Sequence, residues 1–370
     1  MRIWIDGYEA NIKNRVGSGQ YAYEILKNLE KIDLENEYTI LLPTPKLDDL
    51  PKERKGWEYR VLKPNKLWTR IALPVALYLA RQKPDLFFSP THYIPRFSPV
   101  KTICTIFDLG YLHFPETLKV DDLYKLKNWT KFSIENSSKI LAISQFTKKD
   151  IIENYGVSPD KIIITPLGFD EKIFKPIKDN KRIETTLKKY NINGDYIIYI
   201  GTIQPRKNLL RLIEAISSVE IKLVIVGKTT GPGRQGWKYE EILQAPKKFG
   251  INDKVIFTGF VETEDLPALL SGSKMFVFPS LWEGFGIPVL EAMACGAPVI
   301  VSNVASLPEV VGKSGTYVDP YSVDSIKKGI EILLKDEKLR QKKVQLGKMQ
   351  VKKFSWVDCA RKTLEVFKDV

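Results

Sequence analysis

Short apolar runs recur along this chain, and stretches with helical spacing of apolar positions separate them. The runs at Ile3–Ile5, Thr39–Leu42, Leu86–Phe88, Thr102–Ile106, Lys139–Ile143 and Lys161–Thr165 predict the strands of a first unit. A second set, at Tyr196–Ile200, Leu223–Val226, Val255–Phe257, Met275–Phe278 and Pro298–Val301, predicts another. Strands alternating with amphipathic helices argue for parallel sheets covered by helices on both faces. The expected fold class is therefore α/β, with two doubly wound Rossmann-like domains facing a central cleft. Between the two sets, Lys172–Asn193 turns polar and lysine-rich and reads as the separator. Ligands of such sheets bind at the carboxyl ends of strands, where loops lead into helices.

Composition narrows the class. A chain of 370 residues is long for one core and suits two domains. Its 44% apolar and 27% charged positions are those of a globular protein in water. No 18-residue apolar run predicts a membrane span, and the immediate entry into a strand predicts no secretory leader. Cys104, Cys295 and Cys359 have no metal or redox spacing and fit buried thiols in a reducing cytosol. The net charge of +13 would attract polyanions or an acidic membrane surface. Lys46, Lys52, Arg54, Lys55, Arg60, Lys63, Lys66 and Arg70 cluster around Trp57, Tyr59 and Trp68, ahead of the apolar stretch Leu67–Ala80. This reads as a surface loop leading into a packed helix, or as a face toward anionic lipid. Lys335–Lys353 reads as a solvated helix, and with no recognition motif beside it no nucleic-acid partner is expected.

The chemistry concentrates at residues 280–312. Here a strand at Met275–Phe278 delivers Glu283, then Gly284-Phe285-Gly286, then a helix start marked by Pro288, with Glu291 expected in its first turn. Glycines let an anion approach free backbone N–H groups at the positive end of a helix. Two acceptor-only carboxylates beside that place suit neighbouring sugar hydroxyls. A phosphate flanked by polyols describes a nucleotide sugar. The first strand of the second set ends in Gly201-Thr202-Ile203-Gln204-Pro205-Arg206-Lys207-Asn208. Arg206 offers a planar fork and Lys207 a point charge, which together suit a diphosphate. Gly17-Ser18-Gly19-Gln20-Tyr21-Ala22 matches the dinucleotide pattern G-x-G-x-x-A, but it lies well beyond the first strand rather than at its end. Gly227-Lys228-Thr229 is no Walker loop, because position 222 is a lysine where a glycine is required.

With these motifs the chain resembles the retaining glycosyltransferases of family 4, whose signature is the Glu-x7-Glu segment, here Glu283 to Glu291. The continuation through Ala297-Pro298-Val299-Ile300 and Leu307-Pro308-Glu309-Val310-Val311-Gly312 is similar too. The resemblance implies a B-type glycosyltransferase fold. Its expected domains are 1–170 plus 354–370, an acceptor-side domain with a returning C-terminal helix, and 171–353, which binds the nucleotide sugar. It implies that Glu283 holds hydroxyls of the donor hexose, that Glu291 binds the ribose, and that Arg206 and Lys207 neutralise the diphosphate. Phe285, Leu290 and the strand and loop with Gly259 and Val261 would complete the donor site. Gly17 and Gly19 would cover the donor phosphates, although a plain turn before a helix fits those residues as well. Many relatives carry His-Asp where this chain has Phe107-Asp108. Asp108 is therefore a site candidate, and His92 or His113 are candidates on the acceptor side to stand in for the missing imidazole. The resemblance also implies that the leaving diphosphate can itself deprotonate the acceptor.

The sequence reading is a cytoplasmic hexosyltransferase, peripheral to the inner membrane face, that moves mannose from GDP-mannose to a hydroxyl of a glycan or lipid-linked acceptor. UDP-glucose and dTDP-rhamnose are alternative donors. A non-catalytic nucleotide-sugar-binding or polyanion-binding protein is the alternative of another class. No cofactor and no metal are expected, since the chain has no Asp-x-Asp motif and the basic pair can meet the leaving charge.

Overall fold

The apolar runs become strands of two wholly parallel sheets in the computed structural model of the chain, which describes residues 1–65, 67–228 and 239–370. Lys66 and Thr229 of the sequence reading lie outside the described residues. One unit comprises Met1–Leu112, Val120–Gly168 and Ser355–Val370; the other comprises His113–Lys119 and Phe169–Phe354.

The first unit holds β1 (Arg2–Asp6), β2 (Glu37–Leu42), β3 (Trp57–Val61), β4 (Leu86–Ser89), β5 (Lys101–Ile106), β6 (Lys139–Ala142) and β7 (Ile162–Ile164). They lie in the order β3-β2-β1-β4-β5-β6-β7. Ile3, Ile5, Phe87, Phe88 and Ile103 are wholly buried, because helices cover both faces and leave no polar alternation. The winding reverses between β1 and β4, which makes their carboxyl ends the natural ligand crevice of this unit. The last helix, Trp356–Lys368, packs against the helix Ser18–Ile32. Its buried Trp356, Cys359, Ala360, Thr363, Val366 and Phe367 recur at helical spacing.

The second unit holds β8 (Tyr196–Ile200), β9 (Lys222–Val226), β10 (Val255–Gly259), β11 (Phe276–Phe278), β12 (Val299–Ser302) and β13 (Thr316–Val318). Their order is β10-β9-β8-β11-β12-β13, so this winding reverses between β8 and β11.

Three expectations need correction. The basic stretch Lys46–Arg70 is not simply a loop, for it contains β3, whose Trp57 is buried against Tyr38 with ring centroids 4.9 Å apart. The rest of β3 faces outward as an edge strand, so it lacks the run that marks a central one. β13 was likewise hidden, being three residues long with Tyr317 exposed. Lys172–Asn193 is not a separator: Asn180–Lys189 is a helix of the second unit. Asp179 caps its start, and Lys189 and Tyr190 reach Asp265 at 2.6 and 2.8 Å. Its polar composition reflects a surface helix with one narrow packing face. Among the described residues no helix is long and apolar enough to cross a membrane.

Candidate active site

At the switch point of the second unit, the loop after β8 carries Arg206, Lys207 and Asn208, and the loop after β11 carries Glu283. The two loops are tied by their backbones, with the Leu281 N–H donating to the Arg206 carbonyl at 2.9 Å. Lys207 Nζ donates to Glu283 Oε1 at 2.5 Å, and an Arg206 nitrogen lies 3.7 Å from Glu283 Oε2. The Arg206 guanidinium also donates to the Trp282 carbonyl. Lys207 further sits over the Phe278 ring at 5.1 Å. Lys207 and Glu283 are 8% and 7% exposed, so the pair interacts with little screening from water. Two cations thus flank one carboxylate.

Asn208 organises this cluster, and sequence reasoning gave it no role. Its backbone is left-handed (φ 61°, ψ 30°), a conformation asparagine tolerates. Its buried side-chain amide donates to the carbonyls of Pro279 at 3.0 Å and Pro320 at 2.6 Å. That joins the loops after β8, β11 and β13. Ser306, in the segment after β12, was missed as well; its hydroxyl oxygen lies 2.9 Å from the Glu283 carbonyl and 3.1 Å from that of Phe285. The only trace of either in sequence was a small polar residue beside a motif.

Gly286 caps the helix Ile287–Ala294 with φ at 103°, and a Cβ there would stand 2.9 Å from Leu307 Cδ2. Backbone conformation and space both demand glycine at this helix start. Gly284 and Phe285 beside it are buried, with the Phe285 ring edge-on to Phe354 at 5.6 Å. Leu290 and Val261 are buried too, so their side chains serve packing and only their backbones remain to meet a ligand. Gly259 ends β10, two ladder spacings from β8.

Glu291 departs from expectation twice. It is the fifth residue of its helix, in the second turn rather than the first. Burial, with the Asp170 charge adding to it, pushes its carboxyl up to about 8. In its protonated form it can donate as well as accept a hydrogen bond, whereas the ionised form only accepts. A carboxyl raised on folding favours the folded state at low pH and loses that contribution as pH rises toward the folded value. Stability of the ligand-free protein is thus expected to fall between about pH 4.5 and 8 relative to Glu291→Gln. Thermal melts of both proteins across that range check this; parallel curves would refute the raised carboxyl.

The first unit sets its own groups at the ends of β1, β4 and β5. Gly17, with φ at 53°, precedes the helix Ser18–Ile32, and Gly19 lies in its first turn. Eleven residues separate β1 from that helix, so the loop is not a dinucleotide turn. Asp6 ends β1 and accepts from the Tyr8 N–H at 3.0 Å and Trp68 Nε1 at 2.9 Å; burial raises it to about 6. Asp108 Oδ1 accepts from the Gly110 N–H at 2.8 Å. His92 Nε2 accepts from the Phe107 N–H at 3.0 Å, and the two rings stack with centroids 5.4 Å apart. Desolvation holds this imidazole down at about 4 despite the Asp108 charge. The Nε2 acceptor of His92 is thus already engaged by the backbone. His113 belongs to the second unit, stacked on Trp282 with centroids 3.9 Å apart.

Two family models divide the chain between them: "Glycosyltransferase Family 4" matches residues 16–172 and "Glycosyl transferases group 1" matches residues 182–349. The chain belongs to the family-4 glycosyltransferases. This glycosyltransferase is 29% identical over 367 residues to the O-antigen chain mannosyltransferase B of Escherichia coli, spanning 95% of this chain and 96% of that one. It is 34% identical over 277 residues to the serotype-specific mannosyltransferase WbdA of Escherichia coli, covering 73% of this chain and 33% of that longer protein. Among solved structures, sucrose-phosphate synthase from Thermosynechococcus elongatus superposes with a TM-score of 0.78 at 19% identity, over 100% of this chain and 98% of that one. That likeness establishes the B-type glycosyltransferase fold. Among the described residues no group of three or more His, Cys, Asp or Glu is placed to hold a metal ion.

Proposed function

We propose that this glycosyltransferase moves mannose from GDP-mannose, with retention, to a hydroxyl of a glycan or lipid-linked acceptor. The observation that carries the reading is the Arg206–Glu283–Lys207 cluster at the switch point of the second unit. As the glycosidic bond lengthens, negative charge grows on the leaving diphosphate, and Arg206 and Lys207 oppose it. Glu283 holds Lys207 in place until the donor arrives, then accepts from hexose hydroxyls. Glu291 meets the ribose. The neighbouring Gly284–Gly286 backbone lies beside the phosphates, and the leaving diphosphate takes the acceptor proton. In the first unit, Asp108 and the loop at Gly17 and Gly19 line the acceptor and donor-phosphate side, and the enzyme works in the cytoplasm at the inner membrane face. The mannosyltransferase relatives support mannose as the sugar.

A thermal-shift panel of GDP-mannose, UDP-glucose and dTDP-rhamnose tests the donor, because the ligand that binds stabilises by mass action. GDP-mannose is expected to give the largest shift and to support mannosyl transfer with an axial product linkage. A larger shift and turnover with either other donor would overturn the assignment. Glu283→Gln is expected to slow transfer by about two orders of magnitude, since it weakens both the hexose contact and the hold on Lys207. Transfer is also expected to survive excess chelator; full loss restored by manganese would refute the metal-free mechanism.

A further inference from the structure

A cavity of about 510 Å3 opens on the first unit, bordered by the helix Val120–Asn136, the turn around Arg96 and the segment Trp68–Ala72. It lies apart from Asp108, His92 and the Gly17 loop, none of which lines it. Two arginines dominate the lining. Arg70 stacks over the Trp129 ring at 4.4 Å and Arg96 over the Phe132 ring at 4.1 Å. Neither guanidinium forms an ion pair or a side-chain hydrogen bond among the described residues, whereas nearby Lys131 is answered by Glu135 at 3.7 Å. A guanidinium held over a ring by its π face makes no hydrogen bond to it, and its planar N–H fork can receive a phosphate through two parallel bonds.

The surroundings indicate what the phosphate is attached to. Phe97 and Tyr124 at the cavity are 64% and 61% exposed. Along Leu67–Leu79, the inward Trp68, Ala72, Leu73 and Leu77 fill a core with Phe87. The outward Leu67, Ile71, Val75 and Leu79 are exposed as well. Leu67 precedes the helical segment, Ile71 lies in its π-helical first part, and Val75 and Leu79 lie four apart in the α-helix Leu73–Leu79, with Arg70 one residue before Ile71. Exposed apolar side chains beside bare arginines suit the interface of a bilayer rather than water.

We propose that this cavity binds a phosphate ester borne on an apolar chain, its oxygens held by Arg70 and Arg96. This rests on the lipid-linked acceptor reading above only for the choice of ligand. The test uses the full chain with dihexanoyl phosphatidic acid, inorganic phosphate, and vesicles of phosphatidylcholine with or without phosphatidylglycerol. The wild type is expected to bind the short-chain phosphatidic acid and to sediment with the anionic vesicles. Arg70→Gln combined with Arg96→Gln should weaken both by roughly tenfold or more. Arg70→Lys with Arg96→Lys, which keeps the charge but loses the fork, should fall between. Lys125→Gln with Lys127→Gln removes equal charge from exposed positions outside the cavity and should cost far less. An equal loss in that control would mean general attraction and overturn the site. Inorganic phosphate binding as tightly as phosphatidic acid, with the same arginine dependence, would overturn the lipid assignment. No binding of either probe by the wild type would overturn the proposal. A GDP-dependent thermal shift retained in every variant reports an intact fold, and it also tests the donor reading separately from this one.

Discussion

Lys207→Ala is expected to abolish most transfer activity, by about 2–4 kcal/mol of transition-state stabilisation or on the order of 100- to 1000-fold in kcat/KM. The side chain is buried and holds Glu283 at 2.5 Å. Under the proposed mechanism its removal takes away a cation that opposes diphosphate charge, and it leaves a buried carboxylate with Arg206 at 3.7 Å. Breaking a buried pair costs about 3–5 kcal/mol when nothing replaces the partner. Arg206 should moderate that, so a fall in melting temperature is expected alongside the kinetic loss. Arg206→Ala should cost comparable transfer but less stability, because the Lys207–Glu283 contact survives it. Steady-state kinetics with the donor that supports wild-type turnover, paired with melts of the ligand-free proteins, separates the two effects. Unchanged turnover in both variants would remove the basic pair from the mechanism.

Gly227→Ala should unfold or severely destabilise the second unit. A Cβ at 227 would stand 2.1 Å from the Gly201 carbonyl oxygen, a backbone atom with no rotamer to move aside. Overpacking against backbone at this distance is expected to cost about 3 kcal/mol or more. The neighbouring Gly259→Ala serves as the comparison, since φ is 72° there but no atom lies within 4 Å of a new Cβ. It should lose only about 1–2 kcal/mol, for the left-handed backbone alone. The reason is local: the Gly201 N–H donates to the Val226 carbonyl, and the Gly227 N–H donates to that of Gly259. These bonds draw the ends of β8, β9 and β10 together into a shelf of bare backbone. Denaturant melts of the two variants compare them directly, and equal stability losses would contradict the close approach.

How much of this was legible depended on whether a residue acts through its neighbours in sequence or across the fold. Central strands such as β8 were plain, because burial on both faces turns them into unbroken apolar runs. β3 and β13 were not, since an edge strand shows its outward residues to water and loses that signature. The helix Asn180–Lys189 was mistaken for a linker for the same reason: its surface is charged, and only a narrow face packs. Gly227 was read only as part of a failed phosphate-loop pattern; its need for glycine comes from a strand end more than twenty residues away.

By itself, the sequence determined the α/β class and the two parallel sheets, and it singled out Arg206, Lys207, Glu283 and Gly286 as the residues on which the proposed chemistry rests. Periodicity and turn chemistry are local properties, and a short motif records them faithfully. Only the tertiary structure decided that Lys207 and Glu283, 76 residues apart, form one buried pair. It also decided that Asn208 and Ser306 pin the loops around them, and that burial and the Asp170 charge raise the Glu291 carboxyl. Charge state depends on desolvation and on which groups the fold brings near, and neither is written in the spacing of two glutamates.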